Sequence, residues 1–133
     1  MAALTPEEAF EAFVQGSWQG PVLGINLLKF RDQADYPDDT YSPCTGREAW
    51  LRYEEQALVV AEKYRLAPVI RATVEQTLQP AYGEEWDAVI INRYPEKQNL
   101  VDALTDQELA ALGVHVGAAI EQYTFIACRP DNI

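Results

Sequence analysis

The stretch Val22–Phe30, Val-Leu-Gly-Ile-Asn-Leu-Leu-Lys-Phe, constrains the fold more than any other part of the chain. Gly20-Pro21 bounds it on one side and a charged run opening at Arg31 on the other. An apolar run of this kind is a strand covered on both faces, so its two polar side chains, Asn26 and Lys29, must find partners there. Strand alternation puts Asn26, Leu28 and Phe30 on one face and Ile25, Leu27 and Lys29 on the other.

Around this strand the elements follow in a readable order. Thr5-Pro6-Glu7-Glu8 is a helix start: a capping threonine, a proline at the first helical position and a glutamate closing a capping box. The helix over 5–16 carries its stripe on Ala9, Phe10, Phe13 and Val14, and is expected to lie against the outside of the main fold. Residues 31–45 show no period and read as a long loop with Tyr36 and Tyr41 in it. A long helix is expected over 46–66, with Trp50, Tyr53, Ala57, Val60, Ala61 and Tyr64 at helical spacing and a Glu48–Arg52 pair on its surface. Strands follow over 68–78 and 86–94, joined by a hairpin-type connection over 79–85 that contains Pro80 and Gly83. Residues 96–112 read as a helix in two pieces, the second capped by Thr105 with Glu108. A short connector then holds His115, a last strand covers 121–129, and the tail over 130–133 reads as loose.

Without the leading helix the order is strand, helix, strand, strand, helix, strand. That is the α+β, ferredoxin-like βαββαβ arrangement, with both helices on one face of a four-stranded antiparallel sheet. The other face has no helix to cover it, and Leu28, Phe30, Val69 and Phe125 or Ile126 are its expected apolar side chains. Pairing two such faces across a twofold axis is the economical solution. A homodimer through its sheet faces, enclosing a barrel-like space, is therefore expected.

The totals narrow the function classes. A chain of 133 residues with 48% apolar composition suits one domain with one core. The formal net charge of −11 opposes binding to nucleic acid or to an anionic membrane surface. No apolar run is long enough to span a membrane and no secretory leader opens the sequence, so a cytoplasmic location is expected. Cys44 and Cys128 lie far apart and make no disulfide framework. The aspartates of the 31–45 loop lack calcium-loop register, and no metal site is expected. No serine–histidine–acid set, phosphate loop, HExxH or CxxC is present, and no cofactor is expected.

Three segments in order carry a family resemblance: Ile25-Asn26-Leu27-Leu28-Lys29-Phe30, then Gly46-Arg47-Glu48-Ala49-Trp50-Leu51-Arg52-Tyr53, then Trp86-Asp87-Ala88-Val89-Ile90-Ile91-Asn92-Arg93-Tyr94-Pro95. With the closing Ala118-Ala119-Ile120-Glu121, they make residues 22–129 resemble the dimeric α/β-barrel superfamily, and within it the domain-of-unknown-function family numbered 1330. The resemblance implies a ferredoxin-like protomer, a homodimer and a pocket between sheet and helices, with no known reaction. Where that pattern carries an arginine shortly before the last strand, this chain reads His115-Val116-Gly117.

Candidate site residues follow from polar groups embedded in apolar elements. Asn26 offers a donor and an acceptor from a buried strand. Arg93 could hold a carboxylate or enolate in a bidentate fork, or pair with Glu75 or an aspartate of the partner subunit. Tyr53, Tyr41 and Tyr94 can donate to a developing oxyanion, and Arg71 can reach the barrel interior or solvent. His115, the single histidine, is a candidate proton carrier. Asn26, Arg93, Tyr53 and His115 form the candidate catalytic set; Asn26, Tyr41, Tyr53, Arg71, Arg93 and Tyr94 form the candidate ligand-binding set. Three classes stay open: a cofactor-independent enzyme on a small organic acid, ketone or aromatic; a non-catalytic metabolite-binding dimer; and a structural interaction module.

Overall fold

The computed structural model describes residues 3–79 and 84–131. Its elements are α1 (Pro6–Gln15), β1 (Val22–Phe30), α2 (Gly46–Ala61) running into a 3-10 turn (Glu62–Tyr64), β2 (Ala67–Thr73), β3 (Ala88–Tyr94), α3 (Lys97–Leu104), α4 (Gln107–Ala111), α5 (Gly113–Ala119) and β4 (Ile120–Cys128). The four strands form one antiparallel sheet in the order β2-β3-β1-β4. This is the ferredoxin-like strand order, and β1 is central, as its composition requires.

Alternation along β1 holds throughout: Val22, Gly24, Asn26, Leu28 and Phe30 are buried and the residues between them only half-buried. The buried set faces the helices. Leu28 and Phe30 pack in one core cluster with Ala49, Trp50, Ala88, Ile90, Ala118 and Ala119. Val22 packs in a second with Tyr94, Leu100 and Ala103, joined by Phe13, Trp18, Tyr64, Leu66 and Leu109. This corrects the placement of Leu28 and Phe30 on the uncovered face. That face instead carries Leu23, Ile25 and Leu27 from β1, opposite Arg93, Ile91 and Val89 of β3, with Ile126 beside Ile25 on β4.

The helix termini show which sequence signals acted. Thr5 and Glu8 form the capping box of α1, with Pro6 at its first position. Thr45 and Glu48 form another at the start of α2. Glu48 is thereby spent on a backbone N–H, and Arg52 turns to the 31–45 loop, so the expected Glu48–Arg52 pair does not form. The break in the 96–112 helix falls at Thr105, but Asp106 caps α4 through Leu109 N, while the Thr105 hydroxyl donates to the Val101 and Asp102 carbonyls. The expected Thr105–Glu108 box is therefore replaced by an aspartate cap. Lys63 and Tyr64 both bind Asp106, which ties the 3-10 turn to α4.

Two further corrections concern boundaries. The 68–78 strand stops at Thr73, and the connector carrying His115 is the helix α5. Of the 79–85 connection, residues 80–83 lie outside the described residues, as do 132 and 133 of the tail.

Gly46 closes the neck of the long loop. Arg31 N donates to Ala119 O at 2.8 Å and Gly46 N donates to Arg31 O at 3.1 Å. A Cβ on Gly46 would sit 2.2 Å from Arg31 O and 2.6 Å from Ala119 O, so only glycine fits. On the far side, α1 has no buried residue and is held through Lys97, whose Nζ donates to Gly16 O at 2.8 Å and lies 4.8 Å from the Phe13 ring centroid.

Candidate functional site

A cavity of about 390 Å³ lies between the helix-facing side of the sheet and α2, α3 and α4. Its size is that of a site for a small organic molecule. Gly24 forms part of its floor. A Cβ there would stand 3.0 Å from the Phe125 ring, so glycine gives that ring its place beside β1. Trp50, Ala57, Leu100, Leu104 and Phe125 supply apolar wall, and the polar lining is Asn26, Asn92, Tyr53, Glu54, Arg71, Tyr94 and Tyr123.

Some of these polar groups are fully engaged. Asn26, only 7% exposed, donates through Nδ2 to Ile90 O at 3.1 Å and accepts the Tyr123 hydroxyl on Oδ1. It thus bridges β1 to β3 and β4 at the cavity floor. Arg71 reaches across from β2 in a two-pronged ion pair with Glu54, whose carboxylate also accepts Trp50 Nε1 at 3.3 Å. Glu54 falls on the apolar stripe of α2, four residues from Trp50, and its burial is compensated by these partners.

Other groups are not engaged. Asn92 Oδ1 is buried without a hydrogen-bond partner among the described residues. The hydroxyls of Tyr53 and Tyr94 also bind no described residue, although both side chains line the cavity. Burial raises the Tyr53 phenol, and burial followed by the neighbouring Tyr53 pushes Tyr94 up to about 12. Burial, then Tyr53, raises Tyr123 as well. All three phenols are therefore neutral donors at ordinary pH.

Of the residues singled out by sequence, Asn26, Tyr53, Arg71 and Tyr94 meet at this cavity. Arg93 does not. It is exposed and points to the uncovered face, one residue out of phase with buried Tyr94, so it and Asn26 cannot act on one oxygen.

Tyr41 and His115 belong to a different cluster under the 31–45 loop. His115 is 3% exposed, and its Nδ1 lies 2.8 Å from the Tyr36 hydroxyl. Arg52 also donates to the Tyr36 oxygen at 3.3 Å, so the tyrosine joins the guanidinium to the imidazole. Tyr41 stacks on Tyr36 at 4.8 Å and meets the imidazole edge-on at 4.7 Å. Burial, and then the Arg52 charge, hold the His115 pKa below its ordinary value.

Sequence reasoning missed Asn92, Glu54, Tyr123 and Tyr36. The first two carried a signal. Asn92 is two residues from Ile90 and two from Tyr94 on a buried stripe, the pattern that exposed Asn26, and Glu54 interrupts the α2 stripe in the same way. Tyr123 and Tyr36 carried none beyond their aromatic character.

Among the described residues no group of His, Cys, Asp and Glu is arranged to hold a metal ion, and no helix is long and apolar enough to cross a membrane.

No family model matches this chain, and no curated protein does. Solved structures do. A protein of unknown function from Rhodopseudomonas palustris shares 29% identity at a TM-score of 0.85, covering 98% of this chain and 97% of its own. Its methylated form gives the same identity and TM-score, over 99% of this chain and 96% of that one. A dabb family protein with a ferredoxin-like fold from Mesorhizobium loti aligns at a TM-score of 0.51 and 9% identity, over 85% of this chain and 99% of that one. The fold is ferredoxin-like. The resemblance to the family numbered 1330 gains no support from these matches.

Proposed function

We propose that this protein is a homodimer that binds a small organic molecule in the cavity between its sheet and helices. The observation that carries the reading is the cavity itself, where Asn92 Oδ1 is buried without a described partner and the Tyr53 and Tyr94 hydroxyls are unengaged, while the other polar groups, Asn26, Tyr123, Glu54 and Arg71, bind one another or the backbone. A buried polar group without a partner costs free energy, and a ligand that supplies the partner recovers it. With their pKa values raised by burial, the phenols are neutral donors that polarise or orient a ligand oxygen.

The homodimer rests on the uncovered sheet face. Ile70 and Ile126 are 46% and 42% exposed there, beside the half-buried Leu23, Ile25, Leu27 and Ile91. An apolar face of this kind pairs with a second copy. A cytoplasmic location fits Cys44 and Cys128, both free thiols.

A thermal-shift screen against small carboxylates, aromatics, quinones and haem, with solution mass measured on the same sample, tests both parts. A stabilising compound whose effect is lost in Tyr53→Phe supports the binding reading. Silence across the screen moves the protein to an interaction module, and a monomer mass removes the dimer.

A further inference from the structure

We infer that the cavity selects an uncharged, ring-sized molecule bearing a hydroxyl group, and that the Asn92 amide reads that hydroxyl. The inference rests on the small-molecule reading above and adds a ligand class to it.

The charges decide the first half. Only two charged side chains line the cavity among the described residues, Glu54 and Arg71, and they are bound to each other. A carboxylate ligand would have to leave water and take Arg71 from Glu54, stranding a carboxylate that is 7% exposed. An ammonium ligand would have to take Glu54 from both Arg71 and Trp50 Nε1. Neither exchange leaves every charge paired. A neutral ligand disturbs nothing.

The unengaged polar groups decide the second half. Asn26 is closed at both ends by Ile90 O and the Tyr123 hydroxyl, so it has little left to offer. Asn92 is its counterpart on β3 with neither end satisfied by a described residue. A rotation about its last side-chain torsion presents either the acceptor or the donor to the cavity. Tyr53 and Tyr94 add neutral hydroxyls. A ligand hydroxyl both donates and accepts, so one group can satisfy the Asn92 carbonyl oxygen and take a proton from a phenol. The walls around these groups, Trp50 and Phe125 among them, suit a planar ring. A site built to bond a hydroxyl rejects the analogue that lacks one, because its own polar atoms are then left unpaired.

The test is calorimetric titration of the full chain with 2-naphthol, 2-methoxynaphthalene and 2-naphthoate at pH 7, on the parent and on Asn92→Leu. The parent is expected to bind the naphthol about tenfold more tightly than its methyl ether. It is also expected to bind the naphthol more tightly than the naphthoate. Asn92→Leu is expected to bring naphthol and ether to near equality while retaining affinity for both. Asn92→Val serves in its place if the leucine variant does not fold. Two results overturn the inference and leave the binding reading standing: naphthoate binding most tightly to the parent, or an unchanged naphthol preference in the Asn92 variant. If none of the three compounds binds, the inference falls together with the binding reading.

Discussion

The protein carries two polar clusters, one between the sheet and the helices and one where the 31–45 loop meets α2 and α5, and they differ in one respect. Under the 31–45 loop, Arg52, Tyr36 and His115 form a closed chain in which each group gives or takes a hydrogen bond. In the cavity, Asn26, Glu54 and Arg71 are closed in the same way, but Asn92, Tyr53 and Tyr94 are not. A satisfied buried network fixes a conformation and has no capacity left for a ligand. Asn92 Oδ1, buried without a described partner, has paid for that capacity in stability. The contrast separates residues that hold the loop in place from residues available for recognition, a distinction that residue type alone does not make.

Substitutions at the two clusters should therefore differ in sign. The largest effect is expected at the neck beneath the closed cluster. Gly46→Ala forces backbone apart at Arg31 and Ala119 and should cost about 3 kcal/mol, read as a lowered denaturant midpoint. Tyr36→Phe leaves His115 Nδ1 unpaired in a buried position and should cost about 1–2 kcal/mol by the same measurement. Asn92→Leu should do the reverse, gaining about 1 kcal/mol, since it removes a buried acceptor with no described partner. If both substitutions destabilise equally, the distinction between the clusters fails.

The closed cluster should also respond to acid. His115 has a folded pKa below its unfolded value near 6.5, so its contribution is fully present above that pH and is lost as the pH falls through the folded pKa. Midpoints measured from pH 7.5 down to pH 5 should decline in the parent, and the decline should be shallower in His115→Gln. The smallest effect is expected at the cavity floor. Gly24→Ala presses on Phe125 and should change stability by under about 1 kcal/mol while weakening any cavity ligand. Titration with a screening hit would show the second part.

Much of this architecture was legible from local pattern. The apolar run of β1, its alternation, the Thr5–Glu8 capping box and the strand–helix order all rest on interactions within a few residues or on a period of two. Alternation sorts a strand into two sets, but it does not say which set meets the helices. That is why Leu28 and Phe30 were expected on the wrong face, and why Arg93 and Asn26 were expected at one site. The sorting was recoverable: β1 and β3 share a buried stripe only if Tyr94 and Val22 lie on the helix side, where Leu100 and Ala103 cover them. The α5 helix was not legible. Gly113 and Gly117 flank His115 and argue against a helix locally, and the segment is held by packing of Ala118 and Ala119 against α2 and the sheet. Tyr36 met His115 across 79 positions of sequence, a contact no local pattern encodes.

The pinned neck between Arg31 and Gly46 separates the length of the loop from the geometry of the fold. Its two ends meet through Gly46 N and Arg31 O whatever lies between them. For such a loop, doubling the number of intervening residues costs only about 0.6 kcal/mol in closure entropy. The segment beyond the neck is thus a place where residues can be added without shifting β1 or α2, provided Tyr36 and Tyr41 still reach His115.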